Sequence, residues 1–186
     1  MSVKFIEKPA PTFGQAISHV WNNLNNFNGR SRRSEFWWFM LVFYISVKIV
    51  GMILPIAMPR VASYVVEGLL WYLALAVTVR RLQDTGKSRW WVVVSWICSI
   101  AVNVYMVSAF DIDALAGSPT LEAWMPIFTD PVVILLTLVG SITGIATFIF
   151  CLLDSAVTEN KYGESPKYVI ADGDATSADN EAQRWA

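Results

Sequence analysis

The pattern closest to a known catalytic motif is Thr85-Gly86-Lys87-Ser88, which matches the end of the phosphate-binding P-loop, G-x-x-x-x-G-K-[ST]. In that motif backbone N–H groups cradle the phosphates and the lysine reaches their charge. The match is incomplete, because the first glycine would fall at position 81, which is Arg81. The segment also lies between two long apolar runs, whereas a P-loop joins a strand to a helix. We therefore do not expect nucleotide binding here.

Two opposite charges, Lys48 and Glu67, lie inside the first two apolar runs. An unpaired charge at mid-membrane costs about 2.5–3.5 kcal/mol on insertion scales, so a pair is accepted more easily than either charge alone. Counted from the turn near residue 59, their depths in antiparallel helices differ by roughly 4–5 Å at 1.5 Å per residue, which two long side chains can span. The pair predicts either a structural ion pair or a proton or ion relay.

The remaining residues that could do chemistry do not form a catalytic pattern. The single histidine, His19, has no Ser, Cys or carboxylate partner near it in sequence. Cys98 and Cys151 both lie inside apolar runs without a C-x-x-C spacing, so they are interpreted as small packing residues. We expect no metal site, no cofactor and no enzymatic activity.

Composition indicates that these residues are positioned by membrane helices. Charged residues make up 16% of the chain and hydrophobic residues 55%, whereas a soluble domain carries about 25% charge. A hydrocarbon core of about 30 Å needs roughly 20 apolar residues in a helix. The chain has four such runs, at about 36–58, 61–79, 90–110 and 131–153. The predicted fold class is therefore all-α: a polytopic membrane protein whose residues 36–153 form a four-helix transmembrane bundle.

The segments on either side of this domain are polar. Residues 1–35 combine an amphipathic helix over 12–28, with Thr12 as N-cap and Asn28-Gly29 at its end, with a basic linker. The helix is predicted either to lie in the inner membrane interface or to pack on the cytoplasmic ends of the bundle. No apolar run of signal-peptide length precedes the first span, so we expect no secretory signal. Residues 154–186 are predicted to form a cytoplasmic tail that is disordered after about 170.

The distribution of Lys and Arg predicts the orientation. Arg60 is alone on one side of the predicted bundle, and 111–130 on that side contains four acids and no Lys or Arg. By the positive-inside rule both termini are cytoplasmic, in a bacterial inner membrane. The basic residues on the cytoplasmic side are Lys4, Lys8, Arg30, Arg32, Arg33, Arg80, Arg81, Lys87, Arg89, Lys161, Lys167 and Arg184.

The stretch from Arg80 to Trp91 is predicted to be a short exposed loop between the second and third spans. Its basic residues could fix topology alone, or contact anionic lipid headgroups at about 1 kcal/mol per charge. We predict that Asp84 accepts hydrogen bonds from a nearby arginine or from backbone N–H groups. In the fourth span, Gly140-x-x-x-Gly144 predicts close helix packing, within the bundle or between copies of the chain.

Three motifs resemble a known family. Residues 29–37, Gly-Arg-Ser-Arg-Arg-Ser-Glu-Phe-Trp, and residues 80–91, Arg-Arg-Leu-Gln-Asp-Thr-Gly-Lys-Ser-Arg-Trp-Trp, are followed by a closing Asn160-Lys161-Tyr162-Gly163-x-x-Pro166. Together they resemble the bacterial inner-membrane proteins called the domain of unknown function 805 family, over roughly residues 13–167. The chain departs from the family pattern at Gln83, usually His, and at Arg89, usually Gly. The resemblance implies a small multi-spanning plasma-membrane protein with no assigned activity.

These observations predict a non-enzymatic membrane component that acts through interaction or anionic-lipid contact at its basic cytoplasmic face. The alternative is a small transporter or channel subunit that uses Lys48 and Glu67. Expected partners are the bilayer, its anionic headgroups, and a further copy of the chain or another membrane protein, but not nucleic acid. The candidate cluster comprises Arg30, Arg32, Arg33, Glu35, Arg80, Arg81, Asp84, Gly86, Lys87, Trp90 and Trp91, together with Asn160, Tyr162, Gly163 and Pro166 of the closing motif.

Overall fold

Long helices dominate the fold. The computed structural model describes residues 5–117 and 120–170, with backbone alone at 55, 60, 61, 64, 113 and 116. The described residues form β1 (Phe5–Glu7), α1 (Phe13–Trp21), α2 (Arg33–Ala57), α3 (Arg60–Asp84), α4 (Trp90–Ala109), α5 (Ile112–Gly117), α6 (Leu121–Thr129), α7 (Pro131–Leu152) and β2 (Tyr168–Ile170). The tail beyond 170, predicted to be disordered, lies outside the described residues.

Among the described residues, three segments are long and apolar enough to cross a membrane: Arg33–Leu54, Trp90–Ala109 and Pro131–Leu152. The second predicted span, 61–79, lies within α3, which is not among them. Many large apolar side chains on the long helices point outward, including Met52 at 76%, Ile56 at 87% and Leu69 at 67% exposure. Exposed apolar surface on this scale suits contact with lipid rather than with water.

The end of α3 corrects the predicted loop. Arg80–Asp84 form the last turn of the helix and are buried, so only residues 85–89 connect α3 to α4. Gly86 adopts a φ of +73°, and the N–H of Lys87 donates to the Leu82 carbonyl at 2.8 Å. This is the hydrogen-bond pattern with which helices end at a left-handed glycine. The charge pattern suggested an exposed loop because sequence alone does not reveal that these charges have buried partners.

Helix α1 is shorter than predicted. It begins after Thr12, and Thr12 and Gln15 form a capping box in which the Gln15 side chain accepts the Thr12 N–H at 2.9 Å. The helix ends at Trp21 instead of Asn28, since the asparagines that follow form turns, with Asn23 donating to the His19 carbonyl. Its apolar face is divided: Ala16 and Val20 are buried, whereas Phe13 and Trp21 are exposed.

Two features were not predicted. The chain is not purely helical, because β1 and β2 pair antiparallel with Glu7 opposite Tyr168. In addition, helices α5 and α6 occupy much of the acidic stretch over 111–130, for which no helix was predicted. Both strands are three residues long, too short for an alternating pattern to identify them.

The described residues group into two compact units. One contains 5–45, 73–89 and 149–170, and the other contains 46–72, 90–117 and 120–148. Within the second unit, α4 and α7 pack closely where Ser95 Oγ donates to the Gly140 carbonyl at 3.2 Å. A Cβ added to Gly140 would lie 3.2 Å from Cys98 Cβ, and one added to Gly144 would lie 3.2 Å from Ser95 Oγ. The Gly140/Gly144 pair therefore serves packing within the chain, one of its two predicted uses.

Candidate functional site: a buried arginine and aspartate cluster

Asp84 is the centre of the most highly connected polar group in the described residues. Its side chain is fully buried, and its carboxylate accepts hydrogen bonds from Arg30 Nε at 2.9 Å, from Ser155 Oγ at 2.6 Å and from Arg81 Nη1. The prediction that Asp84 accepts hydrogen bonds from arginine is therefore correct. A buried carboxylate is stable only when it is paired and hydrogen-bonded in this way.

Arg30 connects Asp84 to the segment that follows α7. Besides its contact with the carboxylate, its guanidinium donates to backbone carbonyls of Ala156 at 2.5 Å, Thr158 at 3.0 Å and Gly163 at 3.2 Å. The planar guanidinium carries five N–H donors, so one side chain can hold several acceptors at once. Arg30 therefore fixes a chain segment more than 120 residues away in sequence.

Arg81 performs the same role from inside α3. It is fully buried, and it donates to the Cys151 carbonyl at 3.2 Å and to the Leu153 carbonyl, both at the end of α7. These are among the last carbonyls of that helix, which lack intrahelical partners. A cation there also interacts favourably with the helix dipole.

The end of α3 is capped in turn by other segments. The carbonyl of Arg80 accepts the Ser31 N–H at 3.2 Å, that of Gln83 accepts Asn160 Nδ2 at 3.0 Å, and that of Asp84 accepts the Ala156 N–H at 3.2 Å. Each of the three family-like motifs thus contributes a group to this helix terminus. The last carbonyls of a helix lack intrahelical partners, which explains why donors from these distant segments converge at the end of α3.

The closing motif forms a tight turn in this cluster. Asn160 and Gly163 exchange backbone hydrogen bonds at 3.2 and 2.9 Å, and Gly163 has a φ of +118°, a conformation that favours glycine. Tyr162 donates its backbone N–H to Asn160 Oδ1 at 2.8 Å, and Pro166 is half-buried beyond the turn. The turn presents the Gly163 carbonyl to Arg30.

Glu35 is a second buried carboxylate, in the first turn of α2. It accepts Ser31 Oγ at 3.0 Å and the Arg32 N–H at 3.3 Å, and His19 Nδ1 lies 3.6 Å away. Arg32 in turn donates to Glu7 at 2.8 Å and to the carbonyls of Lys8 and Pro9. This group attaches the N-terminal segment to α2, as Arg30 attaches the C-terminal one to α3.

Burial shifts the pKa values of the central charges. It raises the pKa of Asp84, and the Ser155 hydrogen bond and the charges of Arg81 and Arg30 oppose that shift. Burial also lowers the pKa of Arg81 and that of Arg80. The negative charge of Asp84 opposes the shift for Arg81, and that of Glu35 opposes the shift for Arg80. The ion pairs that Asp84 makes with Arg30 and Arg81 hold these charged groups inside the protein, where none would be stable alone.

The cluster changes the expected location of the positive charge. Arg30, Arg32, Arg80 and Arg81 are buried within the protein, so they do not form the exposed basic face predicted from the sequence. Four members of the candidate cluster lie nearer the surface. Arg33 is exposed at the start of α2, Lys87 lies 5.2 Å from the Phe150 ring centroid, and Trp90 and Trp91 are exposed at the start of α4.

The predicted intramembrane pair lies in the other unit. The Glu67 carboxylate faces α2, because a Cβ added to Gly51 would lie 3.9 Å from Glu67 Oε2. Gly51 is about one helical turn after Lys48. The ion pair between Lys48 and Glu67 stays a prediction.

Two further observations concern metal binding and the serines that contact the buried carboxylates. Within residues 5–117 and 120–170, no group of three His, Cys, Asp or Glu side chains is arranged to hold a metal ion. Ser31 and Ser155, which bind Glu35 and Asp84, were missed by sequence reasoning. Ser155 carries no signal except its position just after the last apolar run, since serine is common in loops.

Sequence comparisons identify relatives without an assigned activity. The family profile described as "Protein of unknown function (DUF805)" matches residues 24–164. The chain is similar to "Inner membrane protein YhaI" of Escherichia coli (strain K12), 34% identical over 92 residues that cover 47% of this chain and 76% of YhaI. It is also similar to "Inner membrane protein YhaH" of the same strain, 32% identical over 45% of this chain and 79% of YhaH. No solved structure matches the chain.

Proposed function

The chain belongs to the DUF805 family of proteins of unknown function, and on that premise we propose that it is a non-enzymatic inner-membrane component that acts through its cytoplasmic surface. In this proposal α2, α3, α4 and α7 all span the membrane and both termini are cytoplasmic. The inner-membrane names of the two relatives support the location, and the bias of Lys and Arg toward one side supports the orientation.

The observation that carries the proposal is the burial of Asp84 with Arg30 and Arg81. Arg30 and Arg81 direct their charges into the protein, where they hold the segments before α2 and after α7 against the end of α3. A catalytic site would need ionisable groups exposed to a substrate. The cluster instead has the properties of a structural clamp, which favours an interaction role.

Anionic lipid is the partner we propose for the basic residues that remain exposed. Arg33 begins α2 and Arg89 immediately precedes α4, and both side chains are exposed. Each therefore adjoins the end of an apolar helix, where lipid headgroups lie. A basic residue at that depth contributes about 1 kcal/mol of attraction to an anionic leaflet.

Mass spectrometry of the lipids that co-purify with the protein tests this proposal. Loss of two such charges, in Arg33→Gln/Arg89→Gln, should lower the retained ratio of phosphatidylglycerol to phosphatidylethanolamine roughly 10- to 30-fold. The control, Lys161→Gln/Arg184→Gln, removes the same charge from the C-terminal segment and should leave the ratio unchanged. An equal ratio in wild type and the Arg33/Arg89 variant would contradict lipid contact at these residues.

A second candidate function is transport by way of Lys48 and Glu67. The position of the Glu67 carboxylate beside Gly51, near Lys48, favours it. Ion flux into proteoliposomes that is lost in both Lys48→Met and Glu67→Gln would support this function. No flux in the wild-type protein would exclude it, and flux that survives both replacements would exclude this pair as its mechanism.

A further inference from the structure

A polar groove lies along α1 and the turns that follow it. Its volume is about 700 Å³, within the range of small-molecule pockets, which is about 300–1,000 Å³. All of its lining residues come from one continuous segment: Gln15, Ser18, His19, Asn22, Asn23, Asn26, Asn28, Gly29 and Arg30. None of the lining residues has a carboxylate or a hydrocarbon side chain. The groove is therefore not a packing defect between apolar surfaces.

The chemistry of the lining indicates the class of ligand. Five of the nine lining residues carry a side-chain amide, a group with both N–H donors and a carbonyl acceptor. Gln15, Asn23 and Asn26 use part of this capacity in hydrogen bonds within the segment. A hydroxyl group is likewise both donor and acceptor, so an array of amides matches a molecule with several hydroxyl groups. Ser18 and Asn22, one turn apart on α1, are both exposed along this face.

The two ionisable residues of the groove do not favour a charged ligand. Arg30 donates to the Asp84 carboxylate and to backbone carbonyls, so its charge is compensated inside the protein. His19 Nδ1 lies 3.6 Å from the buried Glu35 carboxylate. Both side chains thus lie against buried acids, which leaves neutral dipoles as the main feature of the groove.

The groove is held in a fixed shape by contacts on both of its sides. The capping box fixes Gln15, Asn23 donates to the His19 carbonyl at 2.9 Å, and the Asn28 N–H donates to Asn26 Oδ1 at 3.1 Å. Behind the turns, Gln83 Nε2 donates to the Phe27 carbonyl at 3.1 Å. A site that is already ordered loses less entropy when it binds a ligand.

We propose that this groove binds a compact, uncharged, hydroxyl-rich group, of the size of a monosaccharide or polyol. The group has two sources, a soluble molecule or the glycerol headgroup of a lipid such as phosphatidylglycerol. The inference is independent of the lipid contact proposed for Arg33 and Arg89, because neither of those residues lines the groove.

Saturation-transfer NMR of the full chain in nanodiscs, with glucose and myo-inositol as probes, tests the site. Transfer to these probes is expected, with none to the hydroxyl-free control 1,2-dimethoxyethane. Ser18→Ala/Asn22→Ala, which removes two polar groups from the groove, should weaken probe binding about 30-fold, since each of the two lost hydrogen bonds contributes about 1 kcal/mol. Asn25→Ala is the matched control, because Asn25 is an exposed amide of the same segment that does not line the groove; its binding should equal that of wild type.

The lipid composition of the nanodiscs distinguishes the two sources. Phosphatidylglycerol and phosphatidylserine carry the same net charge, but only the first offers a glycerol headgroup. If the probes bind in phosphatidylserine nanodiscs but not in phosphatidylglycerol nanodiscs, the natural ligand is the lipid headgroup. If they bind equally in both, the natural ligand is a soluble molecule. Absence of transfer to either probe in phosphatidylserine nanodiscs, or equal loss of binding in Asn25→Ala and Ser18→Ala/Asn22→Ala, would overturn the proposal.

Discussion

Arg30 Nε lies 2.9 Å from Asp84 Oδ1, although 54 residues separate the two, and both side chains are almost completely buried. This contact joins the segment before α2 to the last turn of α3. The same guanidinium reaches the carbonyls of Ala156 and Thr158, so a third segment depends on it. The three family-like motifs are therefore parts of one structure.

The charge of Asp84 should be essential for stability. Asp84→Asn keeps the shape of the side chain but leaves Arg30 and Arg81 buried without their counterion. Breaking a buried pair in this way costs about 3–5 kcal/mol. Thermal denaturation in detergent should show a markedly lower midpoint for this variant, whereas Glu122→Gln, an exposed acid in α6, should leave it unchanged. A midpoint for Asp84→Asn close to that of wild type would show that the carboxylate charge is dispensable.

Arg30→Lys tests whether the geometry of the guanidinium matters beyond its charge. Lysine keeps the positive charge but lacks the planar set of donors that reaches Asp84 and the carbonyls of Ala156, Thr158 and Gly163 at once. We expect faster amide hydrogen exchange over residues 154–163 and little change in α4. Arg33→Lys is the control, since Arg33 is exposed. Equal protection in all three proteins would mean that charge alone holds the segment.

The packing of α4 against α7 should not tolerate a larger residue at Gly140. In Gly140→Ala the new methyl group would lie 3.2 Å from Cys98 Cβ, tighter than ordinary contact. Overpacking of this kind costs about 1–3 kcal/mol, partly offset by the helix propensity of alanine. Gly68→Ala is the matched control, because a Cβ there meets nothing within 4 Å. Thermal midpoints should fall only for Gly140→Ala; a fall of similar size in Gly68→Ala would point to a general effect of the substitution.

Acid should loosen the C-terminal segment through Asp154. A hydrogen bond from Lys167 is the main cause that lowers the pKa of Asp154 from 3.8 to about 2, and Tyr168 also donates to this carboxylate, at 3.1 Å. A depressed carboxylate pKa stabilises the folded state above the unfolded value, and that contribution is lost as pH falls from about 4 through 2. The loss of stability is small, because the Asp154 side chain is 46% exposed to solvent.

NMR can follow this titration at the Tyr168 ring. Its resonances should shift with a midpoint near pH 2 in wild type, the folded-state pKa of Asp154, and lose that shift in Asp154→Asn. Asp111→Asn, an acid at the start of α5, should titrate like wild type at Tyr168. A Tyr168 shift that persists in Asp154→Asn would assign the titration to another group.

The orientation of the chain can be measured by cysteine labelling. In a background with Cys98→Ser and Cys151→Ser, single cysteines at Glu164 and Leu121 should label from opposite sides of the membrane, Glu164 from the cytoplasm. The reason is the concentration of Lys and Arg in the segments on the Glu164 side. Labelling of both positions from one side would contradict an arrangement with four spans.

Sequence patterns that act locally gave reliable predictions. The apolar runs coincide with long helices, three of which are apolar enough to cross a membrane among the described residues, because helix length and hydrophobicity are properties of consecutive residues. The capping position of Thr12 was also predictable, since it depends on neighbours within a few residues. The three motifs were sufficient to indicate the family.

What the sequence by itself determined is therefore a chain of long apolar helices with its positive charge concentrated in three polar segments. Only the tertiary structure decided where that charge lies. Arg30, Arg80 and Arg81 were predicted on the surface, but all three are buried. Arg30 and Arg81 pair with Asp84 and donate to carbonyls at the ends of α3 and α7, which lack intrahelical partners. Contacts across 54 to 133 residues, as Arg30 makes, depend on how the helices pack, and no local pattern records them.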